Sequence, residues 1–219
     1  MTSPGSGDLA PPSTKPARPT AVGALHDKVV FGRRVRTLAR HLTSLLPAGI
    51  RVLDVGCGDG LIDALVERGS PGTVIEGIDV LVRPDAKIPV RHFDGLHLPH
   101  PDKSFEVVMF VDVLHHTDDP LPLLKEGLRV GKSIVIKDHY RDGLLAGPTL
   151  RFMDWVGNAH HGVALPYNYL TKAEWATAFK AAGLKPVELR ESLGLYPAPA
   201  SWIFERGLHF LGRFEAVQG

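Results

Sequence analysis

Apolar positions along the chain follow two periods that take turns. From Val29 to Leu46, the residues Val35, Leu38, Leu42, Leu45 and Leu46 recur at helical spacing, and the run stops at Pro47-Ala48-Gly49. This pattern predicts an amphipathic leading helix. Arg51 to Val55 is a short apolar run that ends in glycines, which predicts a strand, and Leu61 to Arg68 then predicts a helix closing near Gly69. Further strands are expected at Thr73 to Ile78, Val90 to Phe93 and Phe105 to Val111. The last of these is apolar without interruption, as a parallel strand buried on both faces should be. Asp119-Pro120 supplies an N-cap and a first-turn proline for a helix to about Val130, and Ser133 to Lys137 predicts a fifth strand. Thr171-Lys172-Ala173-Glu174 has the form of a capping box, Gly183 closes the helix it opens, and Lys185 to Arg190 and Leu208 to Val217 predict two closing strands.

Strands that alternate with helices, followed by a helix and two strands, describe an α/β fold: a doubly wound, mostly parallel seven-stranded sheet with helices on both faces. Ligands of such sheets sit beyond the carboxyl ends of the strands. The stretch from about 139 to 170 is too long for a plain connection, so a lid-like, partly helical insertion is expected after strand 5. Residues 1–23, rich in Pro, Ser, Thr, Gly and Ala, are expected to form a disordered tail. That leaves 24–219 as a single domain, a length that suits one α/β core with decoration.

Composition narrows the field. Hydrophobic residues make up 44% of the chain and charged residues 22%, and no apolar run approaches the roughly eighteen residues of a membrane span. A soluble protein is expected, and the first residues lack the apolar region of a signal peptide. A formal net charge of +1 offers nothing to a polyanion, so no nucleic-acid partner is expected. Arg33, Arg34, Arg36 and Arg40 lie close together on the leading helix and read as a solvated face. The lone cysteine, Cys57, excludes an internal disulfide framework and fits a reducing, cytoplasmic compartment.

The chemistry concentrates in Gly56-Cys57-Gly58-Asp59-Gly60, which follows a strand and precedes a helix. Glycines let the backbone turn tightly there and approach a ligand. The third glycine comes one position earlier than in the dinucleotide fingerprint, and Asp54 and Asp59 place negative charge where a pyrophosphate could not tolerate it. A cationic ligand fits instead. About twenty residues on, Glu76-Gly77-Ile78-Asp79 puts a carboxylate at the end of the second strand, where an acid can accept both ribose hydroxyls.

With these residues the chain resembles the class I S-adenosylmethionine-dependent methyltransferases of Rossmann-like fold, above all the subgroup that acts on small molecules. The signature is Val52-Leu53-Asp54-Val55-Gly56-Cys57-Gly58-Asp59-Gly60, and it continues through Phe93-Asp94-Gly95-Leu96-His97-Leu98-Pro99, Asp102 to Val108, and Asp112-Val113-Leu114-His115-His116. The resemblance implies S-adenosylmethionine as cofactor and S-adenosylhomocysteine as product. It implies that Asp54, Gly56, Cys57 and Gly58 cradle the methionine part, that Asp79 with Val80 takes the ribose, and that Asp94 with Gly95 takes the adenine. It also implies that the backbone at Val111 and Asp112 flanks the sulfonium.

Methyl transfer is an in-line displacement, so alignment of the acceptor supplies much of the acceleration, and a base is needed only where the acceptor must lose a proton. His115, His116, His139, His160 and His161 fall near predicted strand ends or in the insertion. Consecutive residues of a regular element point to different sides, so one of His115 and His116 is expected at the acceptor, with His116 favoured and His139 the further candidate. Tyr140, Tyr167, Asn168 and Tyr169, with Asp138, can line a polar acceptor pocket, while Trp155 with Phe152, Met153 and Val156 offers an apolar stripe for a hydrophobic acceptor. No compact ligand spacing points to a metal, and none is expected. The Asn-Pro-Pro-Tyr quartet that the family uses for exocyclic amines is absent after the fourth strand. The expected activity is methyl transfer to a small organic molecule, at oxygen if a histidine base operates. A non-catalytic S-adenosylmethionine-binding regulator and a macromolecular acceptor are the alternatives.

Overall fold

The computed structural model describes residues 21–158 and 167–217. Seven strands form one sheet: β1 (Arg51–Val55), β2 (Val74–Asp79), β3 (Val90–His92), β4 (Phe105–Val111), β5 (Gly131–His139), β6 (Leu184–Arg190) and β7 (His209–Ala216). Their order is β3-β2-β1-β4-β5-β7-β6, with β7 antiparallel to both of its neighbours and the other pairings parallel. The order reverses between β1 and β4, so the ligand crevice is expected beyond the carboxyl ends of those two strands.

Alternation along the strands divides the core into two layers. Val52 of β1 and Val107 and Met109 of β4 face α1 (Ala21–Leu45) and α2 (Leu61–Gly69), where they meet Leu38, Leu42 and Val66. Leu53, Val55, Val108 and Phe110 face the other way, toward α3 (Leu121–Val130) and α5 (Lys172–Ala181), and pack with Leu123, Leu124 and Trp175. Polar positions in the strands obey the same alternation: Asp54 shares the face of Val52 and therefore looks toward α2.

Several boundaries move relative to expectation. The leading helix begins at Ala21 rather than Val29, so residues 21–23, assigned to a tail by composition, are helical. Residues 1–20 lie outside the described residues. Strand β5 runs from Gly131 to His139, longer at both ends than the apolar run Ser133 to Lys137, because Lys137, Asp138 and His139 find buried partners that let polar side chains continue the ladder. His139 thus belongs to the strand, and the insertion after it contains α4 (Ala146–Asn158), with 159–166 outside the described residues. Thr171 and Glu174 make both hydrogen bonds of the capping box, an arrangement worth about 1 kcal/mol to a helix start. Pro120 takes the N-cap position of α3, one place before the expected first turn, and Asp119 accepts from the Leu121 N–H instead. A short helix that the periodicity does not predict, α6 (Ser201–Phe204), precedes β7.

Candidate active site

Two groups of residues meet the crevice, one after β1 and β2, the other after β4 and β5. The first is the glycine turn. Gly56 has φ +76°, and a Cβ added there would stand 2.4 Å from Val113 Cγ2, so only glycine fits. The Gly56 N–H donates to the Ile78 carbonyl at 2.7 Å, stitching the turn to β2. Asp79 accepts from the Gly58 N–H through Oδ2 and from the Leu81 N–H through Oδ1, each at 2.8 Å, and its half-buried carboxylate keeps lone pairs free for hydroxyl donors. Cys57 is a packing residue: its Sγ lies against Gly77, where a Cβ would come within 2.4 Å, and burial pushes its thiol well above the usual range. Gly60 closes the turn against Ile88.

The carboxyl of Asp54 is buried beneath this turn, and its Oδ1 meets no hydrogen-bond donor among the described residues. Burial pushes its proton affinity far up, and Asp63 and Asp79 push the same way. Such a group calls for a cation or a proton. The ammonium of S-adenosylmethionine has the charge that such a carboxyl calls for, so the donor set fits this cofactor. Val80 is exposed beside Asp79, and Gly95 sits in the adjoining loop with φ +85°. Asp94 is exposed; its Oδ1 takes the N–H groups of Leu96 and His97 and its Oδ2 pairs with His97 Nδ1. Those bonds hold its carboxyl well below the usual carboxylate range.

The second group is a network of charge. Val111 is half-buried at the end of β4, and Asp112 follows with φ +57°, a left-handed conformation that aspartate tolerates better than most residues. Asp112 accepts from Arg34 Nη2 at 2.6 Å and from Lys137 Nζ, and its own N–H donates to the Lys137 carbonyl at 2.9 Å. Despite burial, Lys137 and Arg34 hold the Asp112 carboxyl far below its ordinary range. Arg34 therefore belongs to the site, contrary to the reading of its helix face as solvated. Lys137, fully buried, also lies 3.4 Å from His139 Nε2. Burial together with Lys137 drives the His139 imidazole well below its ordinary value and keeps it neutral.

His115 and His116 occupy a 3-10 turn, Leu114–His116, directly after β4. In that tight turn the two rings lie side by side, 4.1 Å apart, with His116 the more exposed of the two. His115 is buried, and its Nδ1 hydrogen-bonds Asp138 Oδ1 at 2.7 Å; Asp138 outweighs the cost of burial and raises the imidazole's proton affinity. His116 keeps 19% of its side chain exposed, and its Nε2 stands 3.7 Å from Asp154 Oδ1 of α4. Burial, and the neighbouring His115, lower its proton affinity, so it is neutral near pH 7. Its Nδ1 has no hydrogen-bond partner among the described residues.

The predicted acceptor residues divide. Tyr169 stacks on His115 at 5.0 Å and donates its hydroxyl to the Leu150 carbonyl at 3.2 Å. Asn168 ties this loop to the histidine turn: its N–H donates to the His115 carbonyl, and its Nδ2 donates to the carbonyls of Thr117 and Asp118. Tyr167 adjoins Arg151 of α4, and Trp155 is 57% exposed on the outer side of the same helix. Tyr140 does not join them: it is buried, and its ring stacks on Phe210 in the core layer that faces α3 and α5. His160 and His161 lie outside the described residues. Sequence reasoning missed Asp63, Lys137 and Asp154, although a lysine within an apolar strand and an aspartate in the first turn of an apolar helix were visible signals. Among the described residues, no helix is long and apolar enough to cross a membrane.

Comparison with known proteins agrees with this geometry. Residues 30–189 match the family described as a methyltransferase domain. The 27-O-demethylrifamycin SV methyltransferase of Amycolatopsis mediterranei is 30% identical over 108 residues, 42% of this chain and 39% of that enzyme. A ubiquinone biosynthesis O-methyltransferase of Ruegeria pomeroyi is 27% identical over 178 residues, 71% of this chain and 66% of that enzyme. The chain thus spans less than two thirds of either relative. In fold, it resembles a Haloferax volcanii putative methyltransferase solved in complex with the Trm112 activator, with TM-score 0.64 and 20% identity over 88% of this chain and 94% of that one.

Proposed function

The chain belongs to the class I S-adenosylmethionine-dependent methyltransferases, and on that premise we propose that it methylates an oxygen of a small organic molecule, with His116 taking the acceptor's proton. The observation that carries the base assignment is the state of His116, a neutral imidazole at the carboxyl end of β4 whose Nδ1 lacks a partner and whose Nε2 faces Asp154. Bound S-adenosylmethionine supplies an electrophilic methyl group. The protein's own residues then have three tasks. The glycine turn and Asp79 hold the cofactor across the crevice, and Asp54 meets its ammonium. His116 Nδ1 accepts the hydroxyl proton as the oxygen attacks, and Asp154 stabilises the imidazolium that forms. The His115–Asp138 pair and the Arg34–Asp112–Lys137 network keep the histidine turn in place.

Relatives named as ubiquinone biosynthesis O-methyltransferases support oxygen as the acceptor atom. The near-zero net charge favours a small acceptor over a polynucleotide, and the free thiol of Cys57 suits a cytoplasmic setting. The test is transfer of labelled methyl from S-adenosylmethionine to a panel of phenols and hydroxylated aromatic or polyketide acceptors. We expect labelled methyl ethers, and we expect His116→Asn to lower kcat about a hundredfold or more while S-adenosylhomocysteine affinity stays unchanged. Undiminished turnover by His116→Asn would remove the base assignment. Cofactor binding without labelled product from any acceptor would favour a regulatory role.

A further inference from the structure

Asp63 lies in the first turn of α2, directly under the glycine turn, and is as buried as the hydrophobic core. Its carboxyl faces that of Asp54, because β1 turns Asp54 toward the α2 layer and the first turn of α2 returns Asp63 toward β1. Neither Asp63 oxygen, nor Asp54 Oδ1, meets a hydrogen-bond donor among the described residues. The charged groups that bear most strongly on the pair are also acidic: Asp79 from the end of β2, Asp59 from the turn and Glu67 one turn further along α2. The Glu67 carboxylate is engaged with the Ile75 N–H, and the Arg83 guanidinium lies over Gly58. Two facing carboxylates in such a place cannot both be ionised, since each desolvated charge repels the other.

We propose that Asp63 is a working part of the cofactor site: the facing carboxyls of Asp54 and Asp63 share one proton in the free protein and release it to solvent when a ligand's ammonium settles beside Asp54. The inference rests on the cofactor reading above and adds a residue that the family signature does not include. The exchange balances in charge, because one proton leaves as one ammonium arrives. Burial raises both carboxyls, so the pair still holds a proton where isolated carboxyls have lost theirs. The shared proton also predicts how the free protein behaves. A carboxyl raised in the folded state stabilises the fold below its unfolded value, and that contribution is lost as pH rises through about 7.

The experiment is calorimetry of S-adenosylhomocysteine binding at about pH 6 in buffers of different ionisation enthalpy, with adenosine, which lacks the ammonium, as the comparison ligand. We expect about one proton released per S-adenosylhomocysteine bound and none for adenosine. Affinity for S-adenosylhomocysteine should rise with pH, up to tenfold per unit below the transition. In Asp63→Asn, an amide that can donate to Asp54 replaces the second acid, so proton release should fall and affinity should vary less with pH across the same range. That variant should also melt higher than the wild type near pH 8, a readout independent of any ligand. Proton release that is zero in the wild type, equal for adenosine, or undiminished in Asp63→Asn would overturn the proposal. A folded wild type that binds no S-adenosylhomocysteine would overturn the cofactor reading instead.

Discussion

Beneath the glycine turn, both oxygens of Asp63 and Oδ1 of Asp54 are buried without hydrogen-bond donors among the described residues, whereas beyond β4 and β5 charges stand against opposite charges: Asp112 against Lys137 and Arg34, Asp138 against His115. The first region leaves negative charge uncompensated and so waits for a cation. The second compensates its charge internally and offers the crevice a neutral imidazole. In the proposed reaction, binding of a cationic donor and deprotonation of an acceptor have opposite electrostatic needs, and one sheet would meet both by separating them across the gap between β1 and β4. The difference also predicts opposite responses to removal of a charge. Deleting an acid under the turn should relieve the fold, while deleting a partner beyond β5 should damage it.

The largest effect is expected at Lys137. Lys137→Ala strips the half-buried Asp112 of one of its two cations, a loss at the low end of the roughly 3–5 kcal/mol that breaking a buried pair costs. Urea denaturation measures the loss, and a variant as stable as the wild type would show that Arg34 alone suffices. Next in size, Asp154→Asn should reduce kcat about tenfold, since the imidazolium formed at His116 loses its counter-charge at 3.7 Å. The same substitution has a signature in pH. As the proposed base, His116 would work above its own pKa, which burial and His115 hold below the usual histidine value against Asp154, Asp138 and Asp112. Removing Asp154 therefore moves the acid limb of the kcat profile to lower pH, and an unmoved limb would assign that limb to another group. The smallest effect belongs to Trp155→Ala. With more than half of that ring in solvent, stability should change by less than about 0.5 kcal/mol. The KM of an apolar acceptor should nevertheless rise several-fold, and an unchanged KM would remove Trp155 from the acceptor surface.

How much of the site could be read from the chain follows the same division. Asp54, Gly56, Gly58 and Asp79 lie within a single strand-turn-helix-strand unit, so their spacing already encodes the turn and the acid that faces it. The histidine turn was legible as a motif but not in geometry, because alternation along a regular element does not hold in the 3-10 turn that carries His115 and His116. Tyr140 is the complementary case: core packing against Phe210, which no local pattern marks, holds its ring away from the histidines.

The order of apolar and polar positions determined by itself the seven strands, their alternation with helices, the capping box at Thr171 and the glycine turn at Gly56, since these depend on backbone freedom and on periods within a few residues. Tertiary structure decided the partners of buried charge. Arg34, Asp112 and Lys137 are separated by 78 and 25 residues, and Asp154 meets His116 only because α4 folds back over the end of β4. A charged side chain carries no local mark of its partner; the desolvated interior selects that partner by allowing the charge to remain only where an opposite charge arrives.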